Sequence, residues 1–222
     1  MGCGVGWLSN ALAHHHKCLV TGLDFNPVAI ERAKDISQSL KTNINFQVGN
    51  LFEFSPEAPV DLVVSLGVLH HTGDCTGAVR RVCQEFVKPG GHVFIGLYHS
   101  YGRQPFLNHF KKMQDDGASE DDMLNCFRDL DPRFKDDETH LRSWFRDQVL
   151  HPHETQHTLE EMCPILDDCG MTLVSTSINR FQEIESRESL WAQEKTYRTL
   201  GEERLAAGQY FSGFFIFLAR KN

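Results

Sequence analysis

Met1-Gly2-Cys3-Gly4-Val5-Gly6 opens the chain, and Cys18 to Leu23 is a short apolar run that ends at Asp24. Three alternate glycines at the start of a helix, with an acid about twenty residues on, read as a nucleotide-cofactor crossover in an α/β sheet. Glycine has no Cβ, so it adopts positive φ and lets the backbone approach a ligand with its N–H groups converging on it. An ionised carboxylate only accepts hydrogen bonds and reaches two donors at once, so Asp24 suits a pair of ribose hydroxyls. A glycine triplet alone is a weak signal. Four further segments follow it in the order that such a sheet requires.

Outward from this stretch, Trp7 to Ala13 is the first helix and Cys18 to Leu23 a buried strand. Between them His14-His15-His16 has no acidic or thiol companion and reads as a solvated helix end rather than a metal site. Asn26 has the chemistry of an N-cap with Pro27 in the first helical position, and that helix is expected to run to about Ser39. Phe46 to Gly49 is the next strand, followed by Asn50-Leu51-Phe52. Val60 to Leu66 is a continuous apolar run of strand length, which predicts a parallel strand buried on both faces. It breaks at Gly67 and leads into Leu69-His70-His71-Thr72-Gly73-Asp74. Val79, Val82, Cys83, Phe86 and Val87 then recur at helical spacing. Lys88-Pro89-Gly90-Gly91 ends that helix, and His92 to Tyr98 returns as a strand. The alternation implies right-handed crossovers, a mostly parallel sheet and ligands at the carboxyl ends of its strands.

From His99 to about His157 the register changes. Charged residues are interleaved with Tyr101, Phe106, Phe110, Phe127, Phe134, Trp144 and Phe145, and no strand-like run occurs. This predicts a helical insertion, residues 99–157, either capping the carboxyl ends of the sheet and shaping a substrate pocket, or stabilising its edge. Thr158 to Glu161 fits a capping box for a helix ending near Gly170. Met171 to Ile178 is a strand, Glu183 to Ala207 a charged helical stretch and Tyr210 to Ala219 the last strand. A long helical connection between the two closing strands predicts an antiparallel pair at one edge. The whole of 1–222 reads as one domain, since this length with 41% hydrophobic residues supports a single sizeable core.

The formal charge of −8 argues against a broad phosphate-binding face, so a small-molecule substrate is expected and nucleic acid is not. The seven cysteines are odd in number and scattered with no C-x-x-C pair, which predicts reduced thiols and a cytoplasmic setting. No apolar stretch approaches the length of a membrane span.

These motifs together resemble the class I S-adenosylmethionine-dependent methyltransferases, strongly over residues 1 to 98 and more loosely over the last two strands. Gly2-Cys3-Gly4-Val5-Gly6 looks like the family's glycine-rich motif, and Asp24, followed by Phe25, like its ribose-binding acid. Asn50 stands where the family usually has an aspartate that accepts from the adenine amino group, with Leu51 beside it. Asp61 to His71, including Leu66 and Gly67, resembles the fourth-strand motif, and Val87 to Gly91 the turn before the fifth strand. The resemblance implies a Rossmann-like α/β fold, S-adenosylmethionine as cofactor and a cofactor site of Gly2, Cys3, Gly4, Gly6, Asp24, Phe25, Asn50, Leu51, Leu66 and Gly67. It also implies a sheet in the order 3-2-1-4-5-7-6 whose central strand precedes the glycine motif and ends in an acid. That strand would lie ahead of Met1. The chain is therefore expected to lack strand 1, as a truncated reading frame with an internal methionine as its start, and to bind cofactor poorly with exposed strand edges.

Methyl transfer from a sulfonium needs alignment more than acid catalysis, and a base where the acceptor is a hydroxyl or carbon acid. His70 and His71 follow the fourth strand and are the candidate bases, against a role in ordering the loop. His153-Glu154-Thr155-Gln156-His157 spells H-E-x-x-H, which binds zinc only on a helix. Pro152 and a helix start at Thr158 place it in a loop, so no metal is expected and a pocket-lining role or plain surface loop is. A nicotinamide-dependent oxidoreductase shares the glycine loop and acid. An inactive remnant acting as a binding module is the third reading.

Overall fold

Positive φ at Gly2, Gly4 and Gly6 (62°, 51° and 75°) coils the first residues into a loop that runs directly into helix α1, Trp7–His16. The structure is a computed structural model and describes residues 1–222. Strand β1, Val20–Asp24, follows, then α2, Pro27–Leu40. The Asn26 side chain accepts from the Val28 and Ala29 N–H groups and Pro27 needs no partner, so this helix starts where its sequence says. Strand β2, Ile44–Val48, pairs in parallel with β1. Strand β3, Val60–Leu66, pairs in parallel with β4, Val87–Tyr98, across α3, Cys75–Arg81, and a π-helical turn, Val82–Phe86. β4 begins earlier than the Pro89-Gly90-Gly91 turn suggests, because Val87 already pairs with Val60 before the register shifts.

Helices α4 (Ser100–Asp115), α5 (Glu120–Leu130) and α6 (Glu138–Gln148) come next, then α7 (Leu159–Asp168), β5 (Met171–Thr176), α8 (Arg187–Ala206) and β6 (Phe214–Lys221). Capping boxes start α5 at Ser119 and α7 at Thr158. β6 is antiparallel to both β4 and β5, giving the order β3-β4-β6-β5.

The expectation of one mostly parallel sheet is corrected on both counts. There are two sheets, β1-β2 and β3-β4-β6-β5, and the larger is mixed. β1 and β3 do not hydrogen-bond to each other, and a slot open on both sides of the sheet plane separates them. Cavities of about 450 Å³ and 730 Å³ share Met1, Thr21, Ala58, Val60, Leu62 and Val64 in their walls. The larger is walled on its far side by Trp7, Leu8 and Leu12 of α1, the smaller by Phe54 and Phe86. Leu19 is fully exposed, and Val60 and Leu62 at 40% and 47% depart from the two-sided burial that their apolar run predicts. The slot ends at Met1, whose amino group donates to the Val64 carbonyl at 2.7 Å, while the Cys3 N–H donates to the Leu23 carbonyl at 3.0 Å. Residues 1 to 3 thus form a hydrogen-bonded rung between the two sheets.

The main core of 24 buried residues lies between the larger sheet and α3 and α7, around Val93, Ile95, Leu97, Met162, Phe215 and Phe217. A second core of eight residues, including Phe106, Phe110, Phe127 and Phe145, is internal to α4–α6. No helix is long and apolar enough to cross a membrane.

Candidate active site

The glycine loop and the end of β1 are tied together through Asp24. Its Oδ2 accepts the Gly4 N–H at 2.7 Å and its Oδ1 the Asn26 N–H at 2.9 Å. A carboxylate offers about four lone-pair directions, so acceptor capacity remains on both oxygens for a diol. Gly6 caps α1 with its carbonyl, which accepts from the N–H and the Nδ2 of Asn10, and a Cβ on it would meet the Phe46 ring at 2.9 Å. A Cβ on Gly2 would fall 2.2 Å from the Val68 side chain, so the glycine loop rests directly on the turn after β3. Gly4 and Gly67, both at positive φ, are different: no atom lies within 4 Å of where their Cβ would be. These bare backbones border open space at the carboxyl ends of β1 and β3, which suits a nucleoside held by main chain. The Cys3 thiol is half-buried beside Gly22, and burial raises its pKa.

The other expected contacts sit around the same edge. Phe25 is 79% exposed next to Asp24, free to cover a flat base. Asn50 uses its side chain locally: Oδ1 accepts the Phe52 N–H at 3.0 Å and Nδ2 donates to Glu53 at 3.2 Å. Oδ1 retains one lone pair for an adenine amino group. The Leu51 carbonyl accepts from Arg81 Nε at 3.2 Å and that of Phe54 from its guanidinium at 3.0 Å, so α3 fixes the turn after β2. Leu66 is half-buried at the end of β3, and the Gly67 N–H donates to the Gly96 carbonyl at 3.1 Å. Arg81 and Val68 carry no signal in the sequence that marks them for these roles.

His70 and His71 occupy a short 3-10 turn, Leu69–His71, beyond Val68, and their environments are opposite. His70 has no exposed surface; its Nδ1 accepts the Tyr98 N–H at 3.3 Å and its Nε2 has no partner. Burial, then the neighbouring His71 and Arg103, push its pKa down to about 2. It stays neutral and is enclosed, whereas His71 beside it is half-buried. Stability carries the mark of this. Below pH 6.5 the unfolded chain takes up a proton that the folded ring refuses, so His70 makes the fold less stable as pH falls from about 6.5 towards 2. The expected slope is about 1.4 kcal/mol per pH unit. Urea midpoints measured between pH 7 and pH 4 should show it, and His70→Asn, which keeps an acceptor near the Tyr98 N–H, should flatten it.

Residues 151–157 form an extended strap over this turn. Thr155 N–H and Oγ1 donate to the His70 carbonyl at 2.8 and 3.1 Å, and His153 Nε2 bonds the Thr72 carbonyl at 2.9 Å. Glu154 receives Arg103 Nε at 3.0 Å and Nη2 at 2.8 Å, with the guanidinium 3.9 Å from the Tyr98 ring centre and itself unexposed. His157 bonds Glu161 at 3.1 Å and Thr155 at 2.9 Å. The H-E-x-x-H residues are therefore not on a helix, and each has a separate partner within the chain.

Residues 1–91 match a family model described as a methyltransferase domain. A ubiquinone biosynthesis O-methyltransferase of Coxiella burnetii is 34% identical over 96 residues, which is 43% of this chain and 40% of that protein. One of the same description from Saccharophagus degradans is 33% identical over 97 residues, again 43% and 40%. The chain thus matches about two fifths of the length of these curated relatives. Among solved structures, PKMT2 from Rickettsia typhi in complex with AdoHcy superposes with a TM-score of 0.67 at 13% identity, over 98% of this chain and 47% of that one. Magnesium protoporphyrin IX methyltransferase from Synechocystis with bound SAH gives 0.58 at 17% identity, over 100% and 72%. These likenesses show a shared α/β fold.

Proposed function

We propose that the chain is a class I S-adenosylmethionine-dependent methyltransferase, as the match of residues 1–91 to a methyltransferase-domain model supports, and that it transfers a methyl group from S-adenosylmethionine to a small-molecule acceptor. One observation carries the reading: Asp24 is bonded to the glycine loop beside the open space at Gly4 and Gly67. The loop backbone and Asp24 hold the nucleoside, Phe25 covers the base, and Asn50 and Leu51 border its far edge. S-adenosylmethionine supplies an activated methyl group. His71, on the turn seated against the glycine loop through Val68, is the group that takes a proton from the acceptor. The relatives' names, O-methyltransferases of ubiquinone biosynthesis, support a small acceptor of this kind.

The slot between β1 and β3 belongs to the same reading. An extended segment seated there joins the two sheets, supports the glycine loop from behind and strengthens cofactor binding. Titration calorimetry tests the whole: the chain is expected to bind S-adenosylhomocysteine with micromolar Kd and NADH at least tenfold more weakly. A preference for NADH turns the assignment to an oxidoreductase, and a folded chain that binds neither is a binding module.

A further inference from the structure

We infer that His71 and His151 act as a matched donor–acceptor pair that recognises a hydroxyl group, which makes the methyl acceptor an alcohol or phenol and the reaction an O-methylation. This rests on the proposed methyltransferase reading and names its substrate class. The two imidazoles lie with ring centroids 3.8 Å apart and planes 33° from parallel. One residue sets the proton position on both. His71 Nδ1 is 2.9 Å from the His153 carbonyl, which can only accept, so Nδ1 carries the proton and Nε2 a lone pair. The His153 N–H donates to His151 Nδ1 at 3.2 Å, so that nitrogen carries the lone pair and Nε2 the proton. Both Nδ1 atoms bond to His153, and in an imidazole Nε2 lies across the ring from the Nδ1 contact, so each Nε2 faces away from His153. Neither Nε2 bonds to any group of the chain, and both residues are partly exposed.

An acceptor next to a donor, each fixed in its tautomer, fits a group that both gives and takes a hydrogen bond. A hydroxyl does so through one atom. Its O–H points to His71 Nε2, and one of its lone pairs accepts from His151 Nε2–H, which leaves a second lone pair for the methyl carbon. When the new O–C bond forms, the C–S bond breaks and its electron pair stays on sulfur, giving neutral S-adenosylhomocysteine. The hydroxyl proton passes to His71 Nε2 and then to water. His151 holds the oxygen and its stack holds the His71 plane. A primary amine offers more N–H bonds than His71 can accept and spends its single lone pair on His151, so the pair disfavours amine acceptors.

Imidazole nitrogen resonances of 15N-labelled protein at pH 8 with saturating S-adenosylhomocysteine test this directly, using phenol as the probe. The expected result is unprotonated Nε2 on His71 and unprotonated Nδ1 on His151, with phenol shifting both Nε2 signals together and aniline shifting them at least threefold less. His151→Phe keeps a stacked ring without a donor and should remove the phenol shift at His71 while leaving S-adenosylhomocysteine affinity within twofold. The opposite tautomer on either ring, an equal response to aniline, or a phenol shift that survives His151→Phe overturns the pair. Absence of S-adenosylhomocysteine binding by a folded wild-type protein sinks the methyltransferase reading instead, and leaves the tautomers readable in the same spectrum.

Discussion

Asp24→Ala is expected to weaken S-adenosylhomocysteine binding at least 100-fold while leaving the chain folded. Two bonds from ribose hydroxyls to a carboxylate are together worth at least about 3 kcal/mol, since charged hydrogen bonds contribute about 1.5–3 kcal/mol each. The same substitution releases the Gly4 N–H, now held at 2.7 Å, and frees the Asn26 N–H at the start of α2. Loss of the loop tether adds to the loss of the ligand contact. Asp24→Asn retains one acceptor oxygen and has no charge, so an intermediate loss of about tenfold is expected from one charged bond replaced by a neutral one. Calorimetric titration of the three proteins, with circular dichroism as the control for folding, decides it. An Asp24→Ala protein that binds within threefold of the parent removes the ribose from Asp24 and the nucleoside from the loop.

Filling the slot between β1 and β3 should be the largest stabilising change open to this chain. Five apolar, β-branched residues fused ahead of Met1 would run beside Val20–Asp24 on one side and Val60–Val64 on the other, with side chains alternating into the cavities of about 450 and 730 Å³. Burying five such side chains is worth about 7–15 kcal/mol, at roughly 1.5–3 kcal/mol each. Ordering five residues costs about 1.5 kcal/mol apiece, which offsets much of this. A net gain of about 2–3 kcal/mol corresponds to roughly 5–10 °C in melting temperature for a chain of this size. A Gly-Ser extension of equal length lacks the side chains and serves as the control. Calorimetric scans of both fusions should differ by that margin, and S-adenosylhomocysteine affinity should rise with the apolar one. Equal melting temperatures would show that the slot does not accept a strand.

Local chemistry was the legible part of the fold. Asn26-Pro27, the Thr158–Glu161 capping box and the Val60–Leu66 run each determine an element within a few residues, and each stands where its residues place it. Sheet connectivity was less legible, because strand pairing is set by distant partners. Nothing at Val60 or Leu62 themselves announces an open edge, which was expected only from the resemblance that places a strand ahead of Met1, and an apolar strand next to a slot has the same composition as one next to a neighbour. The early start of β4 is similar, since Val87 extends only because Val60 lies opposite.

The site divides in the same way. Gly4, Asp24 and Phe25 are close in sequence to the turns that position them, so spacing was enough to group them. His70 and His71 are adjacent in sequence and differ entirely in environment: one lies under Tyr98 without access to solvent, the other faces His151, eighty positions on. Period-based reading cannot separate neighbours whose rings touch, 4.3 Å between centroids, while only one of them is fully enclosed. The His151–His157 segment drew attention as a zinc signature, whereas its partners, His71, Thr72 and Arg103, come from β3 and β4 connections far away in the chain.

The cores also differ in what they join. The eight-residue aromatic cluster of α4–α6 shares no member with the 24-residue cluster under the sheet. Arg103 on α4, bound to Glu154 of the strap, is one buried tie between those helices and the rest. Heating such a molecule need not give one cooperative transition, because two separately nucleated interiors can melt at different temperatures. A strand added between β1 and β3 acts on the sheet's interior, so if the two interiors melt in separate steps the rise of roughly 5–10 °C falls on the sheet's step, with that of α4–α6 as an internal thermometer.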